Sequence, residues 1–158
     1  MSIMIKKRDG HYEPLSVEKT KKMVAFACLG LDSCDPIELE MDCKLQFVDG
    51  MTTKQIQQTL VQTAIEKVIQ KVDDGFGNMV NRMNQDWQFV AARLYLFDLY
   101  KEAAINRKYK AFGYGNFTNL VKTLVDAGRY ADFFLTQYTE AELEELGDYI
   151  KPKRDYLF

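Results

Sequence analysis

An Asp9-Gly10 dipeptide set between two short extended runs commits the start of this chain to a tight hairpin. Glycine accepts the positive φ that a two-residue turn needs, and Asp-Gly between strand-like flanks is a strong short-range hairpin signal. The run is Ile5-Lys6-Lys7-Arg8-Asp9-Gly10-His11-Tyr12-Glu13-Pro14-Leu15. A helix must follow at once, because Ser16 is a plausible N-cap and Lys19 falls in the first turn. The first strand thus carries three consecutive cations, Lys6, Lys7 and Arg8, next to a helix start. Cations gathered beside a helix N-terminus make a good place for a phosphorylated ligand.

The first helix is expected to run to about Leu31, with Val24, Ala27, Cys28 and Leu31 on one face. A second starts at Asp35-Pro36, where Asp caps, Pro takes the first helical position and Glu38 completes a capping-box-like arrangement. Its apolar positions Ile37, Met41, Leu45 and Val48 recur at helical spacing. After Asp49-Gly50 turns the chain, Met51-Thr52-Thr53 is short enough to be a third strand against the hairpin. Either Thr52 or Thr53 then caps a third helix, whose stripe is Ile56, Leu60, Val61, Ala64, Val68, Ile69 and Val72. The fourth helix runs from about Gln85 to Lys108, with Trp87, Val90, Ala91, Leu94 and Phe97 facing inward. The fold class expected is mostly α: a four-helix bundle capped by a small three-stranded β-sheet.

Two readings stay open for Asp73 to Asn84, which holds Gly75, Gly77, Phe76, Met79, Val80 and Met83. One is an extended loop with an extra helical turn, and the other is an exposed apolar contact surface. The first is preferred, because apolar residues near a bundle end usually find local packing. Gly113 and Gly115 mark an elbow at Ala111 to Asn116. Beyond it come a helix from Phe117 to Ala127, a turn around Tyr130 to Gln137 and a helix capped by Thr139-x-x-Glu142. The last residues, Lys151 to Phe158, stop in an apolar run, so the parent chain is expected to continue.

At 158 residues, a chain buries about 68–70% of the surface its unfolded form exposes, so it needs no staples. Its net charge of -2 gives no support to direct nucleic-acid binding. The longest apolar run, Met23 to Leu31, is too short to span a membrane. Cys28, Cys34 and Cys43 form no C-x-x-C and there is one histidine, which argues against a zinc ribbon. An odd cysteine count without a signal peptide points to reduced thiols and a cytoplasmic location. Cys28, in an apolar helical run, reads as packing. There is no G-x-x-x-x-G-K-[ST], no H-E-x-x-H and no G-x-S-x-G, so no catalytic and no metal-ligating residue is assigned.

The candidate binding residues gather from four places. Lys7 and Arg8 would meet phosphates, and Lys19 can reach the same anions. Thr53 and Gln57 sit one turn apart at the head of the third helix, where free backbone N–H groups favour negative charge. Glu13 and Ser16 would hydrogen-bond a base edge, with Ile5, Leu15 and Ile56 against its face. Taken alone, Lys7 and Arg8 read better as a charged edge that discourages strand pairing.

The order of parts decides between these readings. KRDGHYEPLSVEK, then DGMTTKQIQQTL, then DWQFVAARLYLFDLYKEA, resembles the ATP-cone, the allosteric nucleotide-binding domain of ribonucleotide reductases, from about Ile5 to Ala104. The stretch AGRYADFFLTQYTEAELEELGDYIKPKRDYLF resembles the opening helices of the catalytic domain in the class I large (alpha) subunit. The resemblance implies an ATP-cone over residues 1–108 and a linker with the first helices of a reductase catalytic domain over 109–158.

It also implies control of overall activity of a ribonucleoside-diphosphate reductase, with ATP or dATP as effector and Mg accompanying the triphosphate. Partners implied are self-association of the large subunit and a small radical-generating (beta) subunit. By position, Lys7, Arg8, Lys19 and Lys101 match phosphate contacts, Thr53 and Gln57 polar contacts, and Glu13 and Ser16 residues that read adenine. Ser16 stands where some relatives carry asparagine, Gln57 where some carry histidine, and Thr20 replaces an aliphatic residue. The Asp73 to Asn84 segment is about a dozen residues longer than a tight connection. The rivals are a degenerate cone serving as an interaction module, and a cone-bearing repressor, which would need a zinc ribbon in front of the cone.

Overall fold

The computed structural model describes residues 3–106, 115–151, 154 and 155. These residues are mostly helical, with two separate two-stranded antiparallel sheets. The chain divides into two compact units, Met1–Asp98 and Leu99–Phe158. The boundary expected at residue 108, the end of the fourth helix at Lys108 and most of the elbow lie outside the described residues.

The first unit opens on β1 (Met4–Lys6) and β2 (Tyr12–Pro14), paired with Ile5 opposite Glu13 and Lys6 opposite Tyr12. Gly10 takes φ +93°, and the Lys7 N–H donates to the His11 carbonyl at 2.8 Å. The expected third strand is not formed. Only a single parallel bridge joins Lys6 to Thr52. The reason is local: the Thr52 N–H donates to Gln55 Oε1 at 2.8 Å, and Thr52 is the N-cap of the next helix with a complete capping box. A residue committed to starting a helix cannot extend a ladder.

Helix α1 (Val17–Ala27) is capped by Ser16, whose side chain accepts from the Lys19 N–H. It stops earlier than expected. Gly30 turns the chain with φ +75°, and Arg93 Nη1 donates to the carbonyls of Ala27 at 2.9 Å and Leu29 at 2.8 Å. A cation on the last carbonyls satisfies groups that a helix end leaves open.

Helix α2 (Pro36–Lys44) starts as expected, with Asp35 accepting from the Ile37 N–H. Its faces are reversed, however. Ile37, Met41, Leu45 and Val48 are all exposed, and the buried face is Leu39, Glu40 and Cys43. Glu38 does not complete a capping box, because its carboxylate accepts from Lys67 Nζ at 2.7 Å. Asp42 takes the same ammonium at 2.5 Å. Lys67, the C-cap of α3 (Thr53–Glu66), thereby fixes which side of α2 turns inward. Its side chain is only 4% exposed.

Burial favours the neutral form of Lys67, but its hydrogen bonds to Asp42 and Glu38 outweigh this and raise its pKa. A raised lysine pKa contributes stability that is full below the unfolded value, about 10.4, and is lost as pH climbs through the folded value. Urea unfolding should therefore show wild type losing midpoint more steeply than Lys67→Gln as pH rises above about 10.4. Parallel curves for the two proteins would contradict this linkage.

The stripe expected on the third helix is split. Ile56, Leu60 and Ala64 are buried in α3, but Ile69 and Val72 belong to β3 (Ile69–Asp73). That strand pairs with β4 (Met79–Met83), placing Val72 opposite Val80. The expected loop with a helical turn is thus a hairpin. β-branched residues favour the pleated conformation, and Asp73 and Asp74 build the connection. Asp73 Oδ1 accepts from the Gly75 N–H at 2.7 Å, and Asp74 Oδ1 from the Phe76 N–H at 2.8 Å. Local packing of its apolar residues also fails: Phe76 is 89% exposed, and Met79 and Met83 are exposed as well.

Helix α4 (Asp86–Asn106) presents Trp87, Val90, Ala91, Leu94 and Phe97 inward as expected, all buried. With Val24, Ala27, Leu39, Cys43, Ile56, Leu60 and Ala64 they form the core of the first unit. Burial pushes the Cys28 thiol up to about 12 and raises those of Cys34 and Cys43, so all three are packing groups with little thiolate character.

The second unit contains α5 (Phe117–Asp126), the short α6 (Phe133–Thr136) and α7 (Glu140–Tyr149). Thr139 and Glu142 form the expected capping box. Gly147 allows α7 to approach α5 closely, since a Cβ there would lie 2.8 Å from Phe117 Cβ.

Candidate functional site

The site is built where the first hairpin meets the starts of α1 and α3. The Lys6 N–H donates to the Met51 carbonyl at 2.9 Å, and the Gly50 N–H to the Met4 carbonyl at 2.8 Å. These bonds place the end of β1 beside the head of α3, where the Thr53 and Lys54 N–H groups belong to the first helical turn. The capping of α1 by Ser16 ties Lys19 to the chain leaving β2.

The cations of the hairpin are paired with carboxylates. Lys7 Nζ lies 2.9 Å from Glu13 Oε1 across the two strands. The hydrogen bond from Lys7, reinforced by the charge of Lys19, holds the Glu13 carboxyl below its ordinary pKa. Lys7, Glu13 and Lys19 therefore share one electrostatic neighbourhood. Arg8 turns the other way, and its Nη2 donates to Asp98 Oδ1 at 2.6 Å. His11 pairs with Asp9, whose carboxyl is lowered chiefly by the backbone N–H of His11.

The remaining assigned residues are distributed as follows. Ile5 and Ile56 are buried in the core, and Leu15 and Ser16 are half-buried. Gln57 is also buried, and its Nε2 donates to the Leu94 carbonyl on α4 at 2.7 Å. Thr53 is half-buried at the head of α3. Thr20, the departure near the base, is buried and donates to the Ser16 carbonyl. Lys101 lies on the part of α4 that belongs to the second unit.

Sequence reasoning missed Asp98. The available signal was a lone carboxylate on the apolar stretch Leu94-Tyr95-Leu96-Phe97-Asp98-Leu99. A charge buried that far needs a partner, and the nearest unassigned question was where Arg8 goes.

The donor set suits an anion. It combines a guanidinium, two ammonium groups and the positive end of a helix. Among the described residues no group of three His, Cys, Asp or Glu side chains is placed to hold a metal ion. A groove of about 960 Å³ lies elsewhere in the first unit, lined by Val61, Ile65, Ile69, Ala91, Ala92 and Tyr95 among others. It has no cation and none of the assigned residues. Among the described residues no helix is long and apolar enough to cross a membrane.

Comparison with known proteins shows the family. Residues 3–102 match the ATP cone domain family. The chain is similar to the ribonucleoside-diphosphate reductase subunit alpha of Helicobacter pylori, 36% identical over 157 residues, covering 99% of this chain and 17% of that protein. The subunit alpha of Synechocystis is 33% identical over 153 residues, covering 97% of this chain and 18% of the relative. Subunit alpha of the ribonucleoside-diphosphate reductase 1 of Escherichia coli is 28% identical over 157 residues, covering 99% and 18%. The chain thus spans under a fifth of the length of these relatives.

Proposed function

The chain belongs to the ATP-cone family, and from that premise we propose that it is the nucleotide-sensing domain of a ribonucleoside-diphosphate reductase alpha subunit. ATP or dATP, with Mg on its phosphates, is the effector. Lys7, Arg8, Lys19 and the head of α3 at Thr53 receive the triphosphate, and Lys101 and Gln57 are assigned to it by resemblance. Glu13 and Ser16 hydrogen-bond the adenine edge, with Leu15 at its face and Ile5 and Ile56 supporting the floor from the core.

The observation that carries this reading is the convergence of Lys7, Glu13 and Lys19 beside the start of α3. The hairpin and the helix that follows it bring charge to one place, beside the chain that enters α3 from much later in the sequence, which a plain charged strand edge does not require. The parent alpha subunit supplies the chemistry. Its self-association, its small radical-generating beta subunit and its cytoplasmic location are part of the same proposal, as is the assignment of residues 109–158 to the start of a catalytic domain.

A degenerate cone is the second reading, and one observation favours it: Lys7 and Arg8 already have carboxylate partners. A thermal-shift titration separates the two. Ligand that binds only the folded chain raises the melting temperature progressively with concentration. ATP and dATP should do so, while inorganic sulfate at equal ionic strength should not. A melting curve indifferent to both nucleotides favours the degenerate cone.

A further inference from the structure

Asp98 stands at the centre of the one pairing that the proposed nucleotide site does not explain. Its Oδ1 accepts from Arg8 Nη2 at 2.6 Å, and the two residues are 90 positions apart in sequence. Its side chain is 11% exposed, against 28% for Arg8. A carboxylate at this distance offers the guanidinium the same kind of charge-assisted hydrogen bond that a phosphate oxygen would. It also carries the same sign of charge as a triphosphate.

The two carboxylates near the site differ in how water treats them. Glu13 sits on the hairpin with its side chain 32% exposed, so solvent screens it. Asp98 is fixed on α4, next to Phe97 and one turn after Leu94, both buried in the core. Its backbone cannot withdraw, and its charge is screened less. Arg8, at the tip of a two-stranded hairpin, is the partner able to move.

Resting on the nucleotide-binding reading, we propose that Asp98 is an internal anion that competes with the triphosphate for Arg8 and sets the triphosphate affinity lower than the cations alone would give. Binding exchanges one charge-assisted bond of Arg8 for another and leaves a poorly hydrated carboxylate facing added negative charge. Uncharged parts of the ligand do not feel this. Asp98 is an affinity-setting residue and needs no contact with the nucleotide.

Calorimetric titration of the 158-residue chain with ATP and magnesium, using wild type, Asp98→Asn and Asp98→Glu, tests this. Asn keeps the shape and removes the charge, and should bind ATP about tenfold tighter, the scale of one charge-assisted hydrogen bond. Glu keeps the charge and should bind no tighter than wild type. A residue that only orients Arg8 would make both variants weaker. Circular dichroism confirms folding, and Asp98→Ser serves as the second neutral variant. Wild-type binding with Asn and Ser equal to it or weaker overturns the proposal while leaving the nucleotide reading intact. A silent wild type with a binding Asn variant supports the role of Asp98. Silence from all variants removes both readings together.

Discussion

Replacing Arg8 by alanine is expected to lower ATP affinity by roughly ten- to a hundred-fold, since hydrogen bonds to charged groups contribute about 1.5–3 kcal/mol. The bond that Arg8 now makes is to Asp98 at 2.6 Å, so the substitution does two things. It removes a phosphate donor, and it strands a carboxylate with an 11% exposed side chain. The second effect adds local negative charge and lowers the stability of the unliganded chain. Lys7→Ala leaves behind a better-solvated carboxylate, Glu13 with its side chain 32% exposed, and should give a smaller loss of affinity with little change in stability. Titration calorimetry and urea unfolding of both variants separate the two contributions. Arg8→Ala with unchanged ATP affinity would place the phosphates elsewhere.

The largest loss of stability is expected from Trp87→Ala, about 3–5 kcal/mol on the scale of aromatic-to-alanine changes in cores. Trp87 is 2% exposed at the start of α4, and the Lys67 ammonium lies 5.4 Å from its ring centroid. Removing the ring opens a cavity and also withdraws the π-face that helps hold a buried cation. A domain with about 5–15 kcal/mol of total stability loses a large share of it. The urea midpoint should fall accordingly. A shift smaller than about 1 kcal/mol, the size of an ordinary substitution, would show that the core closes over the gap.

What could be read from the sequence was local. Ser16, Asp35 and Thr139 cap the helices they were expected to cap, because a cap depends only on side chain and backbone a few residues apart. The inward face of α4 was legible because five apolar residues follow its period without competition. Ile69 and Val72 were misread because a short apolar run fits both a helical stripe and a strand, and β-branching decides only after the turn chemistry of Asp73 and Asp74 is weighed. The reversed face of α2 depends on Lys67, which no periodicity within α2 can reveal. The same holds for the site. Lys7 was legible as one of a run of cations beside a turn, but its pairing with Glu13 across the strands was not. Asp98 was not, because its partner is reached only through the fold.

The claim at the centre of this account is that the hairpin cations of Lys7 and Arg8, with Lys19 and the head of α3, form a nucleoside triphosphate site. Titration calorimetry of the unmodified chain with ATP and with dATP in magnesium-containing buffer tests it most directly. Saturable heat is predicted for at least one of the two, weakened as salt is raised because the site is built from charge. No heat from either nucleotide, at concentrations where the chain remains folded, would contradict it.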